Sequence, residues 1–461
     1  MSDLADAPSA RAGIETRPPP PPLIKGRPIV GFLPEYRRDA VKLFMRMADE
    51  GGDICRFRVG PKVVTLINDP DYAGHVLKTH WKLYPKSENY DDVVLLLRGD
   101  IATTDGPEWL RFRRRSASAL SRRHFADLPA VVSESAEDVF PAAVPCRPDQ
   151  PVDVYELAMR MSARIASRML FGSDIRGEAD RLEPALRAGF DFISSRIEKM
   201  VKFPASWPLP SHLRFRREIA LIDSIVASLI DGVKSGDADG QCMLRDLISA
   251  AEEEGTSEKA IAKEVLNESI FLYIASFETT GTAVAWMLFL LSRNPEARAR
   301  IEEEIDAVIG DRALALADLS SLPVLTAAIQ ETLRLYPTIW LMSRTASETD
   351  EIGGYTIECG SMVMIAPYVL HRRPDLWPDP EEFVPDRFLG DQGPPKNSYI
   401  PFSIGPHSCV GANLASAEML VIFATLLRRF RFEMSPGQTG AYRSGVTLRP
   451  EGGLMMTITP R

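Results

Sequence analysis

The sequence predicts a mainly helical fold with small β-sheets, and three observations carry that prediction. Apolar residues recur at three- and four-residue spacing through the middle of the chain, as in Leu325, Ile329 and Leu333 between Pro323 and Pro337. A segment from about Ile261 to Ser292 is nearly apolar on every side from Ser269 onward. Strand-like alternation is confined to two places: Gly354 to Ile357 and Met362 to Ile365 around the turn Glu358 to Ser361, and Val446 to Leu448 with Leu454 to Ile458 around Gly452 and Gly453.

The chain has 461 residues, 45% hydrophobic and 25% charged, an ordinary globular composition that can bury a sizeable core. Pro18 to Pro22 is a stiff five-proline run. With no long linker or repeat elsewhere, the organisation expected is a flexible Pro-rich lead-in over 1–27 and a single large domain over 28–461. A balance of 54 basic against 63 acidic residues gives −9, which argues against nucleic acid as a partner. The cysteines at 55, 146, 242, 359 and 409 form no CxxC, so neither a disulfide scaffold nor a zinc ribbon is indicated, and the usage fits a reducing cytoplasm. The polar first seventeen residues suggest neither a signal peptide nor a membrane anchor.

By length the segment from Ile261 to Ser292 could span a membrane, but Glu278, Thr279 and Thr280 lie at its centre. A carboxylate at mid-bilayer costs roughly 2.5–3.5 kcal/mol even on lenient insertion scales, so the segment is read as the buried axle of a soluble protein with a polar kink.

Chemistry concentrates near the C-terminus, in Phe402-Ser403-Ile404-Gly405-Pro406-His407-Ser408-Cys409-Val410-Gly411 ahead of a helical run from Ala412 to Phe430. A cysteine at a helix N-terminus meets unpaired N–H groups and a dipole that favour thiolate, which makes it an anionic ligand in waiting. Gly405 and Gly411 allow a tight path around the sulfur, and Phe402 shields it from water. An inert core cysteine is the ordinary alternative, yet the composition predicts the pattern FxxGxxxCxG only ~0.001 times by chance.

This decapeptide resembles the haem-binding loop of the cytochrome P450 family, and further segments match that family's motifs in its order. Ala275 to Thr280 resembles the oxygen-activation motif of the central helix, Glu331-Thr332-Leu333-Arg334 the ExxR motif, Pro385 to Phe388 the PxRF segment, and Trp109 to Arg113 a WxxxR motif; Arg344 lies where a further propionate-binding arginine is common. ExxR also occurs at Glu35 to Arg38 and Glu178 to Arg181, where a solvated helix pair is the default reading.

The resemblance implies a soluble bacterial-type haem-thiolate monooxygenase with the haem buried between the central long helix and the Cys-loop helix. Its cofactor would be haem b (iron protoporphyrin IX), with Cys409 as axial ligand. It places Ala275, Phe402, Gly405 and Gly411 against the cofactor, Trp109, Arg113, Arg344 and His407 at the propionates, and Glu331, Arg334 and Arg387 in a charged triad supporting the thiolate loop. His407, Ser403 and Ser276 depart from the commoner arginine, glycine and glycine. Glu278 and Thr279 would deliver protons, an acid and alcohol pair that favours oxygen and electrons over peroxide as the oxidant source.

By the same resemblance, a hydrophobic substrate such as a terpenoid, fatty acid or polyketide would be hydroxylated or epoxidised. Its pocket walls would come from Tyr90 to Leu97 (Tyr90, Val94, Leu97), Phe190 to Ile193, Phe271 to Ala275, Thr338 to Leu341 (Ile339, Trp340) and Gly452 to Leu454. No GxGxxG, no GxxxxGK and no redox module after Arg461 is found, so electrons would come from a separate ferredoxin or flavodoxin. That donor would dock on a basic proximal face of Arg111, Arg114, Arg115, Arg122, Arg428 and Arg429, with the enzyme acting as a monomer. A haem sensor and a cysteine-nucleophile enzyme are the rival readings, the latter weakened because the six histidines show no dyad signature.

Overall fold

In the computed structural model, residues 17–141, 150–172, 176–197, 202–235, 242–254, 257–390 and 393–461 are described; Cys146 and the first sixteen positions of the lead-in lie outside them. The apolar segment is one helix of 36 residues, Glu258–Arg293, begun by Ser257, whose side chain accepts the Ala260 N–H. It is the single helix among the described residues long and apolar enough to cross a membrane, and 83% of its most apolar window is buried inside the protein. The helix is continuous through its polar centre, where the hydroxyls of Ser276 and Thr279 donate to the carbonyls of Tyr273 and Ala275.

Around this axle pack Val154–Phe171, Pro323–Leu335 and Ala412–Arg429, and together they enclose the largest hydrophobic core. Pro at the first turn and a Pro just beyond Tyr336 bound the Pro323–Leu335 helix as the sequence suggests.

The main sheet has five strands, of which the sequence reading found only Met362–Ile365. Ile54–Val59 and Lys62–Ile67 form an antiparallel hairpin, with Ile54 opposite Ile67 and Val59 opposite Lys62. Met362–Ile365 joins Lys62–Ile67 in parallel and Met342–Thr345 in antiparallel register. The strands expected on either side of Glu358 to Ser361 therefore do not pair with each other: Tyr355–Ile357 takes Asp350–Ile352 instead. Near the C-terminus, Leu448–Pro450 pairs with Tyr442–Ser444, and Met455–Pro460 lies between Phe430–Met434 and Val152–Asp153.

Over its described part the lead-in lies against the domain. Leu23–Ile24 adds a parallel edge strand to Ile54–Val59, Arg56 Nε donates to the Pro21 carbonyl at 2.8 Å, and Thr356 Oγ1 donates to the Pro18 carbonyl at 2.6 Å.

Candidate active site

The loop before the Ala412–Arg429 helix is fixed by its own backbone. Cys409 N–H donates to the Phe402 carbonyl at 2.8 Å, Ser408 N–H to Gly405 at 3.1 Å and Ser403 N–H to Ile400 at 3.0 Å. Gly405 has φ 76°, and a Cβ there would lie 2.2 Å from the Leu77 carbonyl oxygen, so no other residue fits. Ser403 adopts φ 58°, a left-handed conformation that explains why glycine is the commoner choice. Gly411 is different: its φ is −89°, and a Cβ would meet nothing nearer than 3.9 Å, so the tight path rests on Gly405 alone.

Cys409 retains contact with open space, yet the protein packed around its sulfur pushes the thiol pKa up. Burial is the largest influence; the amides of Gly411 and Ala412 and the Arg113 guanidinium pull the other way without prevailing. The helix terminus alone therefore does not make the thiolate expected from sequence. A coordinating cation would deprotonate such a thiol outright.

A cluster of hydrogen-bond donors gathers beside this loop. His407 stacks on Trp109 with centroids 4.1 Å apart, and Trp81 meets both rings. Arg113 donates to the Ser408 carbonyl. Lys86, which the sequence reading passed over, sits 3.4 Å from His407 Nδ1 and 3.6 Å from Asp105. Burial, opposed by Asp105, lowers the Lys86 pKa to about 8, and burial followed by Lys86, Arg344 and Arg113 lowers that of His407 to about 3, so the ring is neutral. The guanidinium of Arg344 is buried, with the neighbouring Ser343 carbonyl at 2.8 Å and no carboxylate within ion-pair distance among the described residues. Buried cations without counter-ions suit an anionic group brought in from outside.

Behind the loop stands the expected triad. Arg334 Nε and Nη2 donate to the two oxygens of Glu331 at 2.7 and 2.8 Å, and Arg387 Nε reaches Glu331 Oε1 at 3.3 Å. Both members of the central pair are fully buried. The remaining Arg334 protons serve the carbonyls of His371, Pro380 and Glu382, which fastens the helix to the segment that follows it. His371 was not recognised from sequence: its Nδ1 meets the Arg334 carbonyl at 3.2 Å and its Nε2 accepts the Ile400 N–H at 2.8 Å.

Beside the central helix lies a mostly apolar cavity of about 270 Å³. Tyr90, Leu97, Phe271, Ala275, Ile339 and Trp340 line it as expected, whereas Val94 does not; Val93, one residue earlier on the helix Asp91–Leu97, takes that place. The C-terminal wall is Gly445 to Thr447 and not Gly452 to Leu454, because Leu454 is packed in the core beside Asp153. Thr279 and Glu278 complete the lining. Thr279 Oγ1 donates to the Ala275 carbonyl at 2.7 Å, and Glu278 Oε1 accepts from Thr447 Oγ1 at 2.8 Å. Burial raises the Glu278 pKa, with the Thr447 hydrogen bond opposing it, so the carboxyl is biased toward its protonated form.

A profile of known protein families matches Cytochrome P450 over residues 18–455. The chain belongs to the cytochrome P450 family. Cyclooctatin synthase of Streptomyces melanosporofaciens is 29% identical over 95% of either chain, and cyclooctat-9-en-7-ol 5-monooxygenase of the same organism is 30% identical over 86% of either. Carotene epsilon-monooxygenase of Arabidopsis thaliana is 28% identical over 93% of this chain and 82% of its own.

Membership of the cytochrome P450 family implies a haem-thiolate cofactor and small-molecule substrates oxidised with a separate redox partner. The residues present fit such a group: one thiol at a helix N-terminus, an uncompensated buried guanidinium, and further donors along one edge. When bound, a thiolate-ligated haem would supply dioxygen binding and O–O cleavage.

The arginines expected on one basic face separate into two sets. Arg115 is 1% exposed and held by Glu254, Glu264 and Glu268, and Arg111 pairs with Glu264 at 2.8 Å. Both belong to the interior junction of the Gly106–Ala119 helix with the central one. Arg428 is turned to the carbonyls of Gly310 and Arg312, and Arg429 pairs with Glu137 at 3.2 Å in solvent. Arg114 and Arg122 remain exposed without a carboxylate within ion-pair distance among the described residues.

Proposed function

We propose that this cytochrome P450 hydroxylates or epoxidises a terpenoid in the cavity above Ala275 and Thr279, using dioxygen and electrons from a separate protein. The observation that carries the reading is the cavity itself: apolar over most of its wall, with one hydroxyl and one carboxyl placed side by side on the central helix. Terpenoid-hydroxylating relatives at about 29% identity support the substrate class.

In this reading Cys409 binds the iron of haem b, and Phe402, Gly405, Ala275 and Gly411 frame the ring. Trp109, Arg113, Arg344 and His407 face its propionates; His407, held neutral, serves as a hydrogen-bond donor and not as a cation. Glu278 takes protons from the side of Arg187 and Arg449, and Thr279 orders them beside the substrate. Ferredoxin or flavodoxin would dock at Arg114, Arg122 and Arg429, so reduction should slow as ionic strength rises. Such a chain would work in the cytoplasm as a monomer.

The test is a carbon monoxide difference spectrum of the reduced protein, followed by turnover of a terpenoid panel with a surrogate ferredoxin and reductase. A haem–thiolate band with oxygenated product supports the reading, and Thr279→Ala should then divert electrons from product to peroxide. A colourless protein sinks it; a haem–thiolate band without turnover of any panel member points to a sensor.

A further inference from the structure

A second pocket, polar and about 310 Å³, adjoins the apolar cavity and shares Tyr36, Trp340 and Gly445 with it as walls. Its rim carries three guanidinium groups, Arg37 and Arg38 from the short helix Leu33–Arg38 and Arg443 from the strand Tyr442–Ser444. All three are exposed, and none has a carboxylate within ion-pair distance among the described residues. Two carboxylates also line the pocket. Asp39 is occupied, accepting the Lys42 N–H at 3.0 Å and lying 3.2 Å from its ammonium, which leaves Glu451 as the other. With Asp39 paired to Lys42, three arginines face Glu451 alone and leave an excess of positive charge, and the hydroxyl of Ser194, buried at this wall, adds a polar contact.

This arrangement matches a monoanion with planar oxygens, because guanidinium presents its donors in a fork that fits a carboxylate edge. Between the two spaces Gly445 contributes no side chain, and the indole N–H of Trp340 donates to its carbonyl at 3.0 Å, which holds that wall residue in place.

We propose that the substrate is amphipathic, an apolar body in the cavity ending in a carboxylate that Arg37, Arg38 and Arg443 hold in the adjoining pocket. The inference rests on the monooxygenase reading above and adds to it that the apolar substrate, terpenoid or other, is an acid. The arginines then act on specificity: they fix which end of the substrate points away from Thr279, and so which carbons lie beside it.

Calorimetric titration of the holoprotein at low salt with matched pairs tests this, abietic acid against methyl abietate and palmitic acid against methyl palmitate. The acid of each pair should bind on the order of tenfold more tightly than its ester, a preference that weakens with added salt. In the Arg38→Glu, Arg443→Glu double variant the preference should vanish while ester affinity and the carbon monoxide spectrum stay as they were. Acids that bind no better than their esters, or a preference untouched by the double variant, overturn the carboxylate pocket and leave the monooxygenase intact. A chain that takes up no haem overturns instead the reading on which the pocket rests.

Discussion

The Ile400 N–H donates to His371 Nε2 at 2.8 Å, joining the start of the cysteine loop to a fully buried imidazole. The other ring nitrogen lies against the Arg334 carbonyl, so one side chain ties the triad helix to the loop that positions Cys409. Burial lowers the His371 pKa to about 3 from an ordinary 6.5. A depressed histidine binds its proton more readily in the unfolded chain, so its contribution to stability is complete above about pH 6.5 and is lost progressively toward pH 3. Urea melts across that range should show wild type losing stability faster than His371→Asn. Parallel curves would disprove the role.

Removing one partner of the Glu331 and Arg334 pair leaves a fully buried charge uncompensated. Arg334→Ala should lower unfolding free energy by about 3–5 kcal/mol and yield protein poor in haem. The exposed Arg300 and Asp386 pair, 2.7 Å apart, is the control: Arg300→Ala should change it by less than about 1 kcal/mol. Equal effects from the two variants would contradict the buried-pair account.

The two loop glycines should respond differently to a methyl group. Gly405→Ala places a Cβ against the Leu77 carbonyl in a left-handed backbone and should cost at least about 2 kcal/mol. Gly411→Ala meets only van der Waals contacts and should stay within about 1 kcal/mol of wild type. Chemical denaturation of both proteins checks the ordering.

Arg115 donates to Glu264 and Glu268 of the central helix and to Glu254 beyond the helix Met243–Glu253. Burial already raises the Glu268 pKa to about 8 despite Arg115. Arg115→Ala should therefore destabilise by about 3 kcal/mol near neutral pH and by less in mild acid, where the freed carboxylates take up protons. The exposed neighbour Arg114, replaced by alanine, should shift stability by no more than about 0.5 kcal/mol. Thermal melts at the two pH values compare them; a pH-independent loss at Arg115 would point to packing instead of charge.

Elements with strong local signals were legible in the sequence. Periodicity and end signals marked Glu258–Arg293, Pro323–Leu335 and Ala412–Arg429 within a few residues, and motif order located Cys409 and the Glu331, Arg334, Arg387 triad. What escaped depends on contacts distant in sequence. Strand pairing could not be read because Met362–Ile365 takes its partner from Lys62–Ile67, almost three hundred residues earlier. Arg115 looked like a surface charge because its glutamates lie 139 to 153 positions away. Val93 and Val94 differ only in phase on a seven-residue helix, too short for periodicity to choose between them.

The clasp between Thr356 and the Pro18 carbonyl spans 338 positions, and the main sheet interleaves strands from residues 23–67 with strands from 342–365. On the ribosome, the early hairpin must wait for Met362–Ile365 to emerge before its inner edge is covered. Until then its unpaired amides and carbonyls are open to association with other nascent chains. High-level synthesis should accordingly favour inclusion bodies, and slower translation or chaperone supply should recover soluble protein without any change of sequence.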